Sequence, residues 1–170
     1  MTKPDTARAI HAARAHLAAN PGDGRGPDKP ATAVVESGLR CRVDGEYASL
    51  VSDMPRAAGG AGSASSPGWL MRAAHAACDA TVIAMRAADV GVELSTLEVT
   101  VGSESDDRGM FGSDDDVPAG SLETVVRIRI GAEGVPEGEL QDIVHYALAH
   151  SPIGSTVSRA VPLREVIEIA

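Results

Sequence analysis

Near the N-terminus apolar side chains recur at Ile10, Ala13 and Leu17, the spacing of one face of a helix. Asp5 or Thr6 supplies a capping side chain for its start, and Asn20-Pro21 marks its end. A Gly/Pro/Asp-rich linker follows, from Pro21 to Pro30. From Ala33 to Val43 the period drops to two. Val35, Leu39, Cys41 and Val43 face one way and Glu36, Arg40 and Arg42 the other, as in a half-buried strand. Asp44-Gly45 is a hairpin signal, and Glu46 to Ser52 reads as the returning strand.

A Gly/Ser-rich loop over Met54 to Ser66 leads to Ser66-Pro67, a hydroxyl cap followed by a first-turn proline. The helix it opens runs to about Val90, where Gly91 ends it. Its middle is Ala-rich and nearly apolar, which predicts burial on most sides and close approach of another helix. Leu94 to Val101 and Leu122 to Ile130 read as strands, the second with Val126, Ile128 and Ile130 opposite Arg127 and Arg129. Pro136 opens a helix to about His150, with Leu140, Ile143, Val144, Ala147 and Leu148 inward. Ser151-Pro152 starts a short further helix, and Leu163 to Ile169 closes as a strand. The predicted order, α-β-β-α-β-β-α-α-β, places strand pairs between helices and so points to an α+β fold rather than a parallel doubly wound sheet. Residues 1–30 read as an N-terminal helix and linker, and residues 31–170 as the main domain.

Composition narrows this picture. A chain of 170 residues suits one domain with a real core. With one Trp, two Tyr and one Phe, that core is aliphatic. The net charge of −9 comes without any basic stripe, which argues against nucleic-acid binding and against anionic membranes. No run approaches the ~18–20 apolar residues that span a bilayer, and the stretch from Met1 to Asn20 lacks the compact apolar region of a secretory leader. A cytoplasmic location is expected, where the two cysteines are free or redox-active rather than a structural staple. No cofactor is expected.

One thiol stands out. Cys78 closes the run Ala73-Ala74-His75-Ala76-Ala77-Cys78, and His75, three residues before it, is its neighbour on the helix surface. A thiolate is the nucleophilic form and needs a nearby positive charge. Cys78 lies mid-helix, beyond help from the helix N-terminus, and Asp79 beside it opposes ionisation. Activation must therefore come from His75 or from arginines elsewhere. From this stretch alone, a small buried hydrophobe is the simpler reading.

Further motifs change that balance. Met54-Pro55-Arg56-Ala57-Ala58-Gly59-Gly60, Ser66-Pro67-Gly68-Trp69-Leu70-Met71, the run ending in Cys78, Val90-Gly91-Val92, and Ala149-His150-Ser151-Pro152-Ile153 follow one another in the chain. In this order they resemble the OsmC/Ohr family of thiol-dependent organic hydroperoxide reductases, from about Thr32 to Ala170. The resemblance implies an intertwined homodimer with a central buried helix pair wrapped by antiparallel sheets and reactive thiols at the subunit interface. It implies Cys78 as the peroxidatic cysteine, a substrate pocket around Gly68, Trp69, Met71, Phe111, Ser151 and Pro152, and a hydroperoxide or small apolar ligand as the molecule bound. The activating arginine is Arg40 or Arg42, with His75 beside the thiol. Gly68 stands where the family has a glutamate, and Ser151 where it has a resolving cysteine, so the standard two-cysteine cycle through these positions is closed. An external thiol reductant is then required; the alternative is a non-catalytic relative that binds a small apolar ligand in the interface pocket.

Cys41 is a conceivable resolving partner, but strand alternation makes it core filler. The acidic stretch Ser103 to Gly120 misses the Asp-x-Asp-x-Asp-Gly pattern of a calcium loop and reads as a solvated, mobile loop. Within it Met110-Phe111 is either an apolar plug over the thiol pocket or a plain anchoring contact. His11 and His16, and His145 and His150, are each five apart and lie on different helix faces, so no metal site is expected. Ser151 beside His150 lacks a nucleophile-elbow motif; its simple role is to cap the helix after Pro152.

Overall fold

The computed structural model describes residues 3–169. Helix α1 (Lys3–Ala19) begins ahead of the expected caps, so Asp5 lies in its first turn, where a carboxylate suits the helix dipole. It ends as expected, in a 3-10 turn at Pro21–Gly24. The single strand expected over residues 33–43 is instead two, β1 (Thr32–Ser37) and β2 (Arg40–Asp44). Gly38, at φ 56°, folds one back on the other, so the period-two reading ran through a turn that a glycine in the left-handed region makes easy. With β3 (Ser49–Ser52) they form an antiparallel sheet of order β1-β2-β3, pairing Cys41 with Val35 and Ser52.

The loop after β3 is organised by Asp53, which is buried. Its carboxylate accepts from the Ser63 backbone N–H (2.9 Å), the Ser63 hydroxyl (2.8 Å) and the Met54 N–H (2.8 Å). These bonds, the Ser63 N–H foremost, hold Asp53 below the usual carboxylate range. Gly60 closes the turn so tightly that a Cβ there would lie 2.0 Å from the Met54 carbonyl oxygen. Gly60→Ala is expected to cost about 1–3 kcal/mol, as overpacking does, read as a lower denaturant midpoint with an unchanged slope.

The turn feeds α2 (Pro67–Asp89), whose cap Ser66 accepts from the Trp69 N–H at 3.3 Å; Gly91, at φ 77°, follows its C-cap Val90. The helix is not buried on most sides. One stripe is buried, His75, Asp79, Ile83 and Ala87, while Met71 and Met85 stay exposed. The buried stripe faces a long antiparallel ribbon, β4 (Leu94–Ser105) and β5 (Ser121–Ala132), and helix α4 (Glu137–Ala149). Ile83, Ala87, Ile143 and Ala147 form the core, with Leu97, Val99, Ile128 and Val144 packed around it. Helix α5 (Pro152–Ser158) lies against α2.

Two further expectations meet the structure. Between β4 and β5 the acidic stretch is largely exposed, as expected of a solvated loop, but it is tied by local bonds. It contains one helical turn, α3 (Asp107–Met110), and the Arg108 guanidinium bonds both Asp106 (2.6 Å) and Asp114 (3.1 Å). The strand expected over Leu163–Ile169 does not form, and Leu163 and Ile169 are 86% and 91% exposed. A strand needs a neighbouring edge for its N–H and C=O groups, and none of the described strands pairs with this segment. The described helices include none long and apolar enough to cross a membrane.

Helix α1 docks on the end of α2 through Asp89. That carboxylate takes both Arg14 terminal nitrogens (3.1 and 3.2 Å), Arg86 (2.7 Å) and His11 (2.9 Å). The Arg14 hydrogen bonds foremost hold Asp89 down to about 2. A carboxylate depressed in the folded state stabilises above its unfolded value, and that stability is lost as pH falls through the folded one. The depression corresponds to about 2 kcal/mol, so α1 is expected to lose amide-exchange protection between about pH 4 and 2. In Asp89→Asn that protection is weaker at neutral pH and insensitive to acid.

Candidate functional site

Side chains from adjacent turns of α2 converge with Ser151 where α2 meets the start of α5. Ser151 caps α5 as expected, accepting from the Gly154 N–H at 3.1 Å. Its hydroxyl donates to Asp79 Oδ1 at 2.6 Å. Cys78 Sγ lies 3.5 Å from the same Ser151 Oγ. His75 Nε2 stands 3.3 Å from Asp79 Oδ2, an ion-pair separation without hydrogen-bond alignment, and His75 Nδ1 and Asp79 Oδ2 are both buried with no hydrogen-bond partner. Asp79 and Ser151 are each 1% exposed, whereas Cys78 is half-buried. Both cysteines are free thiols.

The hydroxyl fixes the direction of these bonds. A serine hydroxyl has one proton and two lone pairs. Its proton goes to Asp79 and one lone pair to Gly154, so a lone pair faces the sulfur and Cys78 is the donor. His75, expected beside the thiol, is engaged with Asp79 one turn on, because the i,i+4 partner lies on the same buried stripe. Asp79, read from sequence only as opposing ionisation, is therefore the hub of the site. The spacing of His75 and Asp79 was the signal that marked it.

The arginines are elsewhere in the single chain. Arg40 bonds the Ser63 hydroxyl (2.9 Å) and pairs with Glu36 (3.4 Å). Arg42 pairs with Glu36 (3.4 Å) and with Asp44. Strand β2, which carries both, packs chiefly on β1 and β3. Near Gly68 a Cβ would meet Arg72 Nη1 at 3.7 Å, and that guanidinium bonds Ser103 Oγ (3.1 Å). A cation thus stands one turn beyond the position at which the resemblance expects a glutamate.

Beside the cluster lies a cavity of about 770 Å³ whose walls include Met71, His75, Asp79, Leu122, Val126 and Leu148. Of the expected pocket residues, Met71 lines it. Ser151 is sealed behind it in contact with Cys78, and Gly68, Trp69, Phe111 and Pro152 are not among its walls. Met110 and Phe111 are exposed, so no plug forms within one chain. Among the described residues, no group of three or more His, Cys, Asp or Glu is placed to hold a metal ion.

The model of the OsmC-like protein family matches residues 60–166. No curated protein matches the chain. Among solved structures, an OsmC-like protein of Mycoplasma pneumoniae superposes with a TM-score of 0.67 at 15% identity, over 79% of this chain and 89% of that one. An organic hydroperoxide resistance protein of Legionella pneumophila superposes with a TM-score of 0.58 at 21% identity, over 78% and 90%. The corresponding protein of Bacillus subtilis gives 0.51 at 19% identity, over 77% and 90%. At these identities the structures share the fold. With the family model covering well over half its length, this chain belongs to the OsmC-like protein family.

Proposed function

We propose that this protein is a thiol-dependent organic hydroperoxide reductase that works with Cys78 alone, as an intertwined homodimer in a reducing cytoplasm. The observation that carries the reading is the contact of Cys78 Sγ with Ser151 Oγ at 3.5 Å. It sets side by side the two residues that the resemblance matches to the peroxidatic and resolving cysteines. The names of the Legionella and Bacillus neighbours lend the substrate class.

In the proposed cycle the Cys78 thiolate attacks one oxygen of the peroxide. The S–O bond forms as the O–O bond breaks, and the departing alkoxide takes up a proton to leave as the alcohol, with Cys78 left as a sulfenic acid. Ser151 cannot resolve it. One external thiol displaces water to give a mixed disulfide, and a second releases Cys78 and leaves as the external disulfide. The dimer brings the exposed β1–β3 sheet, with Arg40 and Arg42, toward the face of α2 that the single chain leaves open.

The direction of the Ser151 hydrogen bonds favours a second reading, in which the site binds a small apolar ligand without turnover: Cys78 acts there as a donor, and a thiolate cannot donate. Consumption of cumene hydroperoxide with dithiothreitol decides between them. The first reading requires turnover by the wild type that Cys78→Ser abolishes and Cys41→Ser retains; equal rates in wild type and Cys78→Ser refute it and leave the second.

A further inference from the structure

Asp79 is a sealed carboxylate next in sequence to Cys78, and the one-cysteine cycle gives it no task. We propose that Asp79, acting through the Ser151 hydroxyl, holds Cys78 as a neutral thiol and so restrains the nucleophile. Asp79 is a positioning residue here: its carboxylate touches neither the peroxide nor the sulfur. The inference deepens the proposed function, since it takes Cys78 as the reacting group.

The bond directions carry the argument. Asp79 Oδ1 takes the Ser151 proton at 2.6 Å, and the sulfur meets the remaining Ser151 lone pair at 3.5 Å. A sulfur anion in that place faces a lone pair and, just behind it, a carboxylate. A hydrogen bond accepted from the neutral form and a like charge nearby both disfavour the anion. Turning the hydroxyl toward the sulfur instead would strip Asp79 Oδ1 of its donor, while Asp79 Oδ2 already has no hydrogen bond. A buried carboxylate does not give up such a donor readily.

The surrounding charges leave this arrangement in place. On α2, His75 stands on the far oxygen of Asp79 (3.3 Å). From α1, His11 and Arg14 go to Asp89 at the other end of the helix. Toward β4, Arg72 is bonded to Ser103. At the end of α4, His150 Nδ1 is bonded to the Tyr146 carbonyl (2.7 Å). From β5, Glu123 joins the cavity wall and adds negative charge. Neutralising Asp79 removes the like charge and weakens its hold on the Ser151 proton, and a side chain with no acceptor frees that proton for the sulfur.

The test is the rate of Cys78 alkylation by iodoacetamide across pH, in full-length protein carrying Cys41→Ser so that a single thiol reacts. Asp79→Asn is expected to raise the rate at neutral pH about tenfold and to move the profile about one unit toward acid. Asp79→Leu, which cannot accept the Ser151 proton, is expected to do the same, so the inference remains testable if one variant fails to fold. An unchanged or slower rate in the folded variants overturns it. Because alkylation needs no peroxide, a wild type without turnover whose Asp79→Asn variant alkylates faster would refute the reductase and leave the restraint standing.

Discussion

Ser151→Cys is expected to turn the one-cysteine site into a disulfide-forming pair when the protein meets one equivalent of hydroperoxide. The Ser151 oxygen is 3.5 Å from Cys78 Sγ, and a disulfide needs the two sulfurs at about 2.05 Å. An approach of about 1.5 Å between the start of α5 and the middle of α2 closes that gap, and side-chain rotation supplies part of it. The bridge would join positions 73 residues apart, and closing a loop of that size contributes on the order of 4 kcal/mol by the chain-entropy account. The reduced variant is expected to be less stable than the wild type, because a thiol replaces the donor that Asp79 Oδ1 takes at 2.6 Å. The oxidised variant should therefore unfold at a markedly higher temperature than its own reduced form. Non-reducing peptide mapping reads the link directly, and a variant that accumulates sulfinate at Cys78 with no link would contradict the juxtaposition.

The second large effect concerns the proposed dimer. One chain fully buries only four apolar side chains among the described residues, Ile83, Ala87, Ile143 and Ala147. It leaves Val35, Leu163, Val166, Ile167 and Ile169 largely exposed, four of them within one C-terminal segment, the kind of apolar run that a partner surface covers. Each such side chain contributes about 1.5–3 kcal/mol when covered. The wild type is accordingly expected to run at twice the 17.4-kDa chain mass in light scattering. If the proposed dimer covers the C-terminal segment, Ile167→Asp together with Ile169→Asp dissociates or unfolds it, since a carboxylate is not buried there without a partner. A monodisperse wild-type monomer would contradict the dimer.

The sequence made local punctuation legible. Ser66-Pro67, Gly91, Pro136 and Ser151-Pro152 each mark a helix boundary within a residue or so, because caps and prolines act through their own backbone. What depended on a neighbour was not legible. The alternation from Val35 to Val43 is the same whether the chain runs straight or turns at Gly38, and only strand pairing decides. Leu163 to Ile169 carries a strand pattern, but none of the described strands pairs with it, and a residue pattern alone names no pairing edge. Burial of α2 was overestimated for the same reason: an Ala-rich face does not say how much of it the neighbouring elements cover, and α1, β4, α4 and α5 leave Met71 and Met85 exposed.

At the site, Cys78 and Ser151 were singled out from sequence as separate motifs, and the structure puts their side chains 3.5 Å apart. The partner of His75 was misread. Helical spacing allowed both Cys78 and Asp79, and the buried stripe selected Asp79. Arg40 and Arg42 share a strand whose ion pairs with Glu36 are local, so nothing in the spacing of one chain could say whether either reaches the thiol.

The central claim is that Cys78 takes an oxygen from a hydroperoxide. Its most direct measurement is trapping with dimedone after one equivalent of cumene hydroperoxide, followed by peptide mass spectrometry of the wild type. A dimedone adduct on the Cys78 peptide, absent from the Cys41 peptide, is the predicted result; an unmodified Cys78 with the peroxide left unconsumed would contradict it.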